Sequence, residues 1–170
     1  MMLTWLLLFL YKAPTQHSRC TSYKMLRLLV LTVLAAAALA TDFDQCDSGA
    51  PVPVALRVVN CEKQPCDFPR GEDISAQADF LADHNVANMK AQSIVEILGG
   101  VVEYPLPQPD GCQSLVNSAC PLEEGDGATY QLTLPVLSEY PKVPLTTEIS
   151  LIDTDSGSVV MCFRISGQVV

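Results

Sequence analysis

The chain predicts an all-β sandwich of two antiparallel sheets, on three observations. Short apolar runs alternate with polar residues at a period of two. Turns rich in Gly, Pro and Asp separate these runs at regular intervals. Beyond the N-terminal region, no stretch repeats at a helical period over a helix length. About six or seven such strands in one domain read as a sandwich.

The N-terminal forty residues stand apart. Met25 opens a secretory leader: Arg27 supplies a positive charge, Leu28 to Leu34 are apolar, and Ala38-Leu39-Ala40 is an A-x-A cleavage site. Residues 25–40 are therefore expected to be a signal peptide. Residues 1–24 hold an apolar run, Trp5 to Leu10, and read as an upstream extension outside the mature protein. Both apolar runs are short for a membrane span. Residues 41–170 then form one domain.

Charge and cysteines bound the function. Of the ten basic residues, Lys12, Arg19, Lys24 and Arg27 lie upstream; the other six face nineteen acids, a net charge of −13. Such a chain does not bind nucleic acid by neutralising phosphates, and anionic membrane repels it at neutral pH. Solubility is the plain reading of the charge. Past the leader stand Cys46, Cys61, Cys66, Cys112, Cys120 and Cys162. An even count behind a secretory signal indicates three disulfides. Spacing favours Cys61–Cys66 and Cys112–Cys120 as local loops, leaving Cys46–Cys162 as a staple between the ends. A loop that long is worth on the order of 4 to 5 kcal/mol in the chain-entropy account. No metal is expected, because Cys61 and Cys66 have no second close pair and His84 is the single histidine past the leader.

The elements follow in order. From Val52 to Val59, Val54, Leu56 and Val58 alternate with Ala55, Arg57 and Val59 as a half-buried strand. Cys61 to Cys66 is a tight cross-linked turn, and Asp67 to Gly71 continues as loop. Ile74, Ala76, Ala78 and Phe80 share the inward face of a second strand. Asp83 to Asn88 is a polar connection, with His84 a solvated loop residue. Ala91 to Val102 is a third strand region, broken by Gly99-Gly100 as by a bulge or bend. Glu123 to Gly127 is a turn. Tyr130, Leu132, Leu134 and Val136 mark the next strand, and Ser138 to Pro141 is a stiff break. Val143, Leu145, Thr147, Ile149 and Leu151 form one clean face. Val159, Met161, Phe163 and Ile165 form the last.

Between the third and fourth of these strands, Pro105, Pro107 and Pro109 occupy alternate positions. Proline fixes φ and removes a donor, so the run is a stiff extended edge in near-polyproline geometry. Tyr104 and Leu106 then present apolar surface from a rigid rim, and Asp110-Gly111 turns the chain into the Cys112–Cys120 loop. The rim reads either as a ligand mouth or as a loop that blunts a sheet edge.

Catalytic machinery is not legible. No serine motif or acid partner stands at a telling distance from His84, the carboxylates are scattered, and no phosphate-binding Gly loop appears. The chain reads as a non-enzyme without a cofactor. Its inward faces are mainly small and medium aliphatics, which line a cavity if the sheets splay. A filled core is the default on packing grounds.

Two segments carry a resemblance. Tyr104-Pro-Leu-Pro-Gln-Pro-Asp-Gly-Cys112, followed by Cys120-Pro121, resembles a signature of the small secreted Niemann–Pick type C sterol-transfer family, in the lipid-recognition (ML) domain group. Leu134-Pro-Val-Leu-Ser-Glu-Tyr-Pro141 resembles its second signature, and the likeness covers residues 41–170. The resemblance implies an immunoglobulin-like β-sandwich with a lipid cavity between the sheets, and the same disulfide pairing. It places sterol contacts at Tyr104, Val136 and Tyr140. It places a surface facing a membrane sterol transporter at Ile97, Leu98, Gly99, Gly100 and Val101.

Two departures bear on location. The charge is unlike a surface made for anionic lysosomal membrane, and none of Asn60, Asn85, Asn88 and Asn117 stands in a glycosylation sequon. Both favour a secreted carrier. Acidification neutralises some carboxylates, which leaves room for the endosome or lysosome lumen. The leading expectation is a monomeric carrier of sterol or another apolar lipid, making transient membrane contact. The alternatives are a module recognising bacterial lipids or semiochemicals in immunity or chemosensation, and a ligand-free structural sandwich.

Overall fold

A computed structural model describes residues 40–170. The leader and upstream extension lie outside the described residues, apart from Ala40. Eight strands form two sheets. The smaller sheet holds β1 (Ala55–Val58), β3 (Asp73–Leu81) and β6 (Gly127–Pro135), in the order β1-β3-β6. The larger holds β2 (Cys66–Phe68), β4 (Met89–Ile97), β5 (Gly100–Tyr104), β7 (Pro144–Asp153) and β8 (Val159–Val169), in the order β2-β8-β7-β4-β5. The described residues are all-β apart from a 3₁₀ turn at Cys112–Ser114.

The period-two faces do what alternation requires. Ala76, Ala78 and Phe80 of β3 are buried, and β6 buries Tyr130 and Leu132 opposite them. Ile149 and Leu151 of β7 and Phe163 and Ile165 of β8 supply the facing layer. Outward residues of the smaller sheet are polar and cross-linked. Arg57 donates to both oxygens of Asp79, at 2.5 and 2.8 Å, and Thr129 Oγ1 donates to Asp79 at 2.7 Å. The Arg57 guanidinium holds the Asp79 carboxyl below the usual range. Disulfides join Cys46 to Cys162, Cys61 to Cys66 and Cys112 to Cys120.

Four local expectations are corrected. First, Gly99-Gly100 marks neither a bulge nor a bend within one strand: the chain reverses, pairing Ile97 with Gly100 and making β4 and β5 a hairpin. Leu98 and Gly99 both take positive φ, 53° and 76°, which a two-residue turn of this hand demands. Gly100–Tyr104 is therefore an edge strand, and the proline run begins only after it. Second, the loop expected from Asp67 begins with β2, which runs parallel to β8, so the larger sheet is not wholly antiparallel. Third, Val54 lies outside its strand and is 68 % exposed.

Fourth, His84 is not a free loop residue. Its Nδ1 lies 2.6 Å from Asp83 Oδ1 and its Nε2 lies 3.5 Å from Asp153 Oδ2. Asp153 is buried, and the hydroxyl of Ser156 is the first of several groups holding its carboxyl below the usual range.

The core is packed at one end of the sandwich and hollow at the other. Phe80, Val86, Met89, Leu122 and Met161 fill the packed end. None of them lines the hollow, which lies where β4, β5 and the end of β6 face one another.

Candidate ligand cavity

A cavity of about 280 Å³ separates the sheets at the hollow end. Ile74, Leu132 and Leu134 line it from the smaller sheet; Val95, Leu145 and Phe163 line it from the larger. No charged side chain takes part in the lining. Its deepest polar pair, Ser93 Oγ and Thr147 Oγ1, stands 3.4 Å apart, so the two hydroxyls satisfy one another. Such a chamber fits an apolar ligand and offers a buried ion nothing.

The mouth is built by two tyrosines. Tyr104 ends β5, at the edge of the larger sheet, and Tyr140 stands in the β6–β7 connection. The Tyr140 hydroxyl donates to the Tyr104 hydroxyl at 3.3 Å, and Tyr104 donates to the Pro135 carbonyl at 3.0 Å. Pro135 ends β6, the edge strand of the smaller sheet. This chain of hydrogen bonds therefore straps one sheet to the other across the opening. Burial, with Tyr140 second, pushes the Tyr104 hydroxyl up to about 12.

Val136 lies beside the strap and is 7 % exposed. Its amide donates to Glu72 at 2.9 Å, and its carbonyl accepts from Gly71 at 2.6 Å, which pins it facing the cavity. Tyr104, Val136 and Tyr140 thus converge on one wall and rim, from three places in the chain. The β4–β5 hairpin divides the other five predicted residues. Ile97 turns into the cavity, whereas Leu98 and Val101 are 78 % and 68 % exposed beside Gly99 and Gly100 at the tip. Leu106 was expected to share a rim with Tyr104. Instead the proline run leaves β5 and rejoins β4, with Ala91 donating to Pro109 and Gly111 to Met89, and Leu106 faces a separate outer hollow.

Phe68 is a cavity residue that sequence reasoning missed, because a three-residue strand carries no readable period. Its ring packs over Gly167 of β8, where a Cβ would stand 2.1 Å from it. Among the described residues, one group of His, Cys, Asp or Glu has metal-like spacing: Cys46, Cys162 and Glu148. Both of its sulfurs are tied in a disulfide and cannot act as thiolate ligands. No helix among the described residues is long and apolar enough to cross a membrane.

An all-β sandwich opened around an apolar chamber is a binding fold whose chemistry lies in what it encloses. The ML-domain family model matches residues 40–169, and the chain belongs to that family. Within it, the chain is 33 % identical over 142 residues to the NPC intracellular cholesterol transporter 2 of Sus scrofa, covering 82 % of this chain and 93 % of that protein. It is 32 % identical over 151 residues to homolog a of that transporter in Drosophila melanogaster, covering 84 % of this chain and 99 % of the relative. The crystal structure of a Niemann-Pick type C2 protein from the Japanese carpenter ant shares the fold. Its TM-score is 0.67 at 20 % identity, covering 76 % of this chain and 99 % of that one.

Proposed function

We propose that the protein is a non-enzymatic carrier of sterol or a similarly sized apolar lipid, held singly between the sheets. The observation that carries this reading is the uncharged cavity, apolar apart from the mutually paired Ser93 and Thr147 hydroxyls, with two tyrosine hydroxyls at its mouth. The ligand enters apolar end first and leaves its polar end beside Tyr104 and Tyr140, with Val136 against its flank. Removing roughly 300 Å² of apolar surface from water supplies about 7 kcal/mol gross, from which the ordering costs of binding are subtracted. The names of its relatives support the sterol assignment.

In this reading the exposed hairpin tip touches the membrane or a sterol transporter during transfer, and the protein works as a monomer. Residues 25–40 are its secretory leader, and 41–170 the mature domain, which acts outside the cell or in the endosome or lysosome lumen. The test is titration of the oxidised 41–170 form with a fluorescent sterol. Saturable one-to-one uptake is expected, falling at least tenfold in Val136→Phe, whose ring fills the wall while the fold survives. Absence of sterol uptake by the correctly cross-linked wild type contradicts the proposal.

A further inference from the structure

A second hollow of about 260 Å³ lies outside the sandwich, along the free edge of β6. Further up that edge Leu115 bridges to Tyr130, and the Val116 amide donates to Thr129 at 3.1 Å. This cover closes one end of the hollow, where Val116 and Tyr130 line it; Gln131 to Thr133 continue its border, with Leu106 and Pro107 as part of its wall. Leu132 lines both the hollow and the central cavity, and no other residue does. It is 6 % exposed, and its register partner on β3 is Ala76, a small neighbour that gives its side chain room.

We infer that Leu132 is the partition that sets the longest ligand the cavity accepts, with the outer hollow as the space behind it. The inference rests on the carrier reading. A straight apolar tail that fits the chamber meets the Leu132 side chain, and a longer one must displace it. With the side chain shortened, the tail passes the β6 edge into the hollow beneath Leu106 and Pro107. The polar side chains on its border are engaged elsewhere, Gln131 with Gln77 and Ser75 of β3 and Gln113 with Gln108 and Asp110, so they do not block a chain that enters. Since a water claims ~30 Å³ and a methylene about as much, a fully enclosed hollow of this size takes about nine carbons, and with one side open to solvent roughly half of that, on the order of four to six.

The experiment offers the oxidised protein a homologous series of straight-chain fatty alcohols and reads retained complexes by native mass spectrometry. The wild type is expected to show a sharp length limit. Leu132→Ala moves the limit up by about four to six carbons, Leu132→Val moves it less, and Leu132→Phe shortens it. Adding Thr133→Trp, which plugs the outer hollow from a residue that does not line the central cavity, cancels the gain of Leu132→Ala. An unchanged limit in folded Leu132→Ala or Leu132→Val overturns the inference, and so does a gain that survives the plug. Both results leave sterol binding by the wild type intact. A wild type that takes up neither sterol nor any alcohol overturns the carrier reading itself, and the inference with it.

Discussion

At the scale of the residue, the strap at the mouth is the most informative detail. Two phenols and one carbonyl join sheets that share no strand at this end. Opening the mouth breaks at least one of these bonds, worth about 1 kcal/mol net. Tyr104→Phe keeps the ring and removes both the bond to Pro135 and the acceptor of Tyr140, so ligand release is expected to quicken by at least about fivefold, read by stopped-flow sterol exchange. The same hydroxyl predicts an alkaline weakness. Tyr104 and Tyr130 are both raised to about 12 from an ordinary value of 10.0. The folded state then keeps protons that the unfolded chain loses. Their contribution is whole below pH 10, declines above it, and is gone past about 12. Denaturant titrations along a pH series should show stability falling across that window, less steeply in Tyr104→Phe.

Residue identity was legible here and residue placement was not. Tyr104, Val136 and Tyr140 could be picked out through two motifs, yet nothing in either motif shows the phenols bonded to each other. Pairs distant in sequence, such as His84 with Asp153, leave no local pattern at all.

At the scale of the element, alternation carried most of the fold. Strand β3 buries one face alone, so its period survives in the sequence, and β6, β7 and β8 alternate over part of their length, although Val160 to Phe163 of β8 are buried on both faces. Two elements escaped for physical reasons. The β4–β5 turn puts a leucine at positive φ, where glycine or asparagine is the usual signal. Strand β2 is held by its disulfide and by β8, and three residues are too few to show a period.

Each missed element has a testable consequence. Gly167→Ala drives a methyl into the Phe68 ring and displaces it toward the cavity. Sterol affinity is expected to fall about tenfold with a stability loss of about 1 to 3 kcal/mol, by titration and denaturant unfolding. Leu98→Asp at the hairpin tip touches no cavity residue's role. It should leave equilibrium sterol affinity unchanged while slowing transfer to vesicles at least threefold, by a fluorescence transfer assay. Equal transfer rates would remove the hairpin from the docking surface.

At the scale of the whole molecule, one sandwich contains both a filled core and a chamber. Phe80, Tyr130 and Met161 are fully buried away from the hollow, whose lining is mainly aliphatic, with Phe68 and Phe163 in its walls and Tyr104 and Tyr140 at its mouth. Apolar alternation encodes that a face is inward. It does not encode whether the opposite face touches it, so a cavity and a core share one sequence code. Family resemblance, not periodicity, is what made the cavity an expectation. The disulfides fit the same plan. Cys46–Cys162 fastens the N-terminal segment to β8, and Cys112–Cys120 closes the loop that follows the proline run. Neither cross-link lines the cavity: Cys112 follows Gly111, which sits against Met89 at the packed end, and the hollow end is closed at its mouth by the Tyr104–Pro135 bond between strand edges.

The most direct measurement is a crystal structure of the oxidised protein grown with a sterol. The account predicts continuous ligand density between the sheets, its rings against Val136 and Phe163, and its hydroxyl beside Tyr104 and Tyr140. Sheets collapsed onto one another with no density between them, or sterol bound elsewhere on the surface, would contradict it.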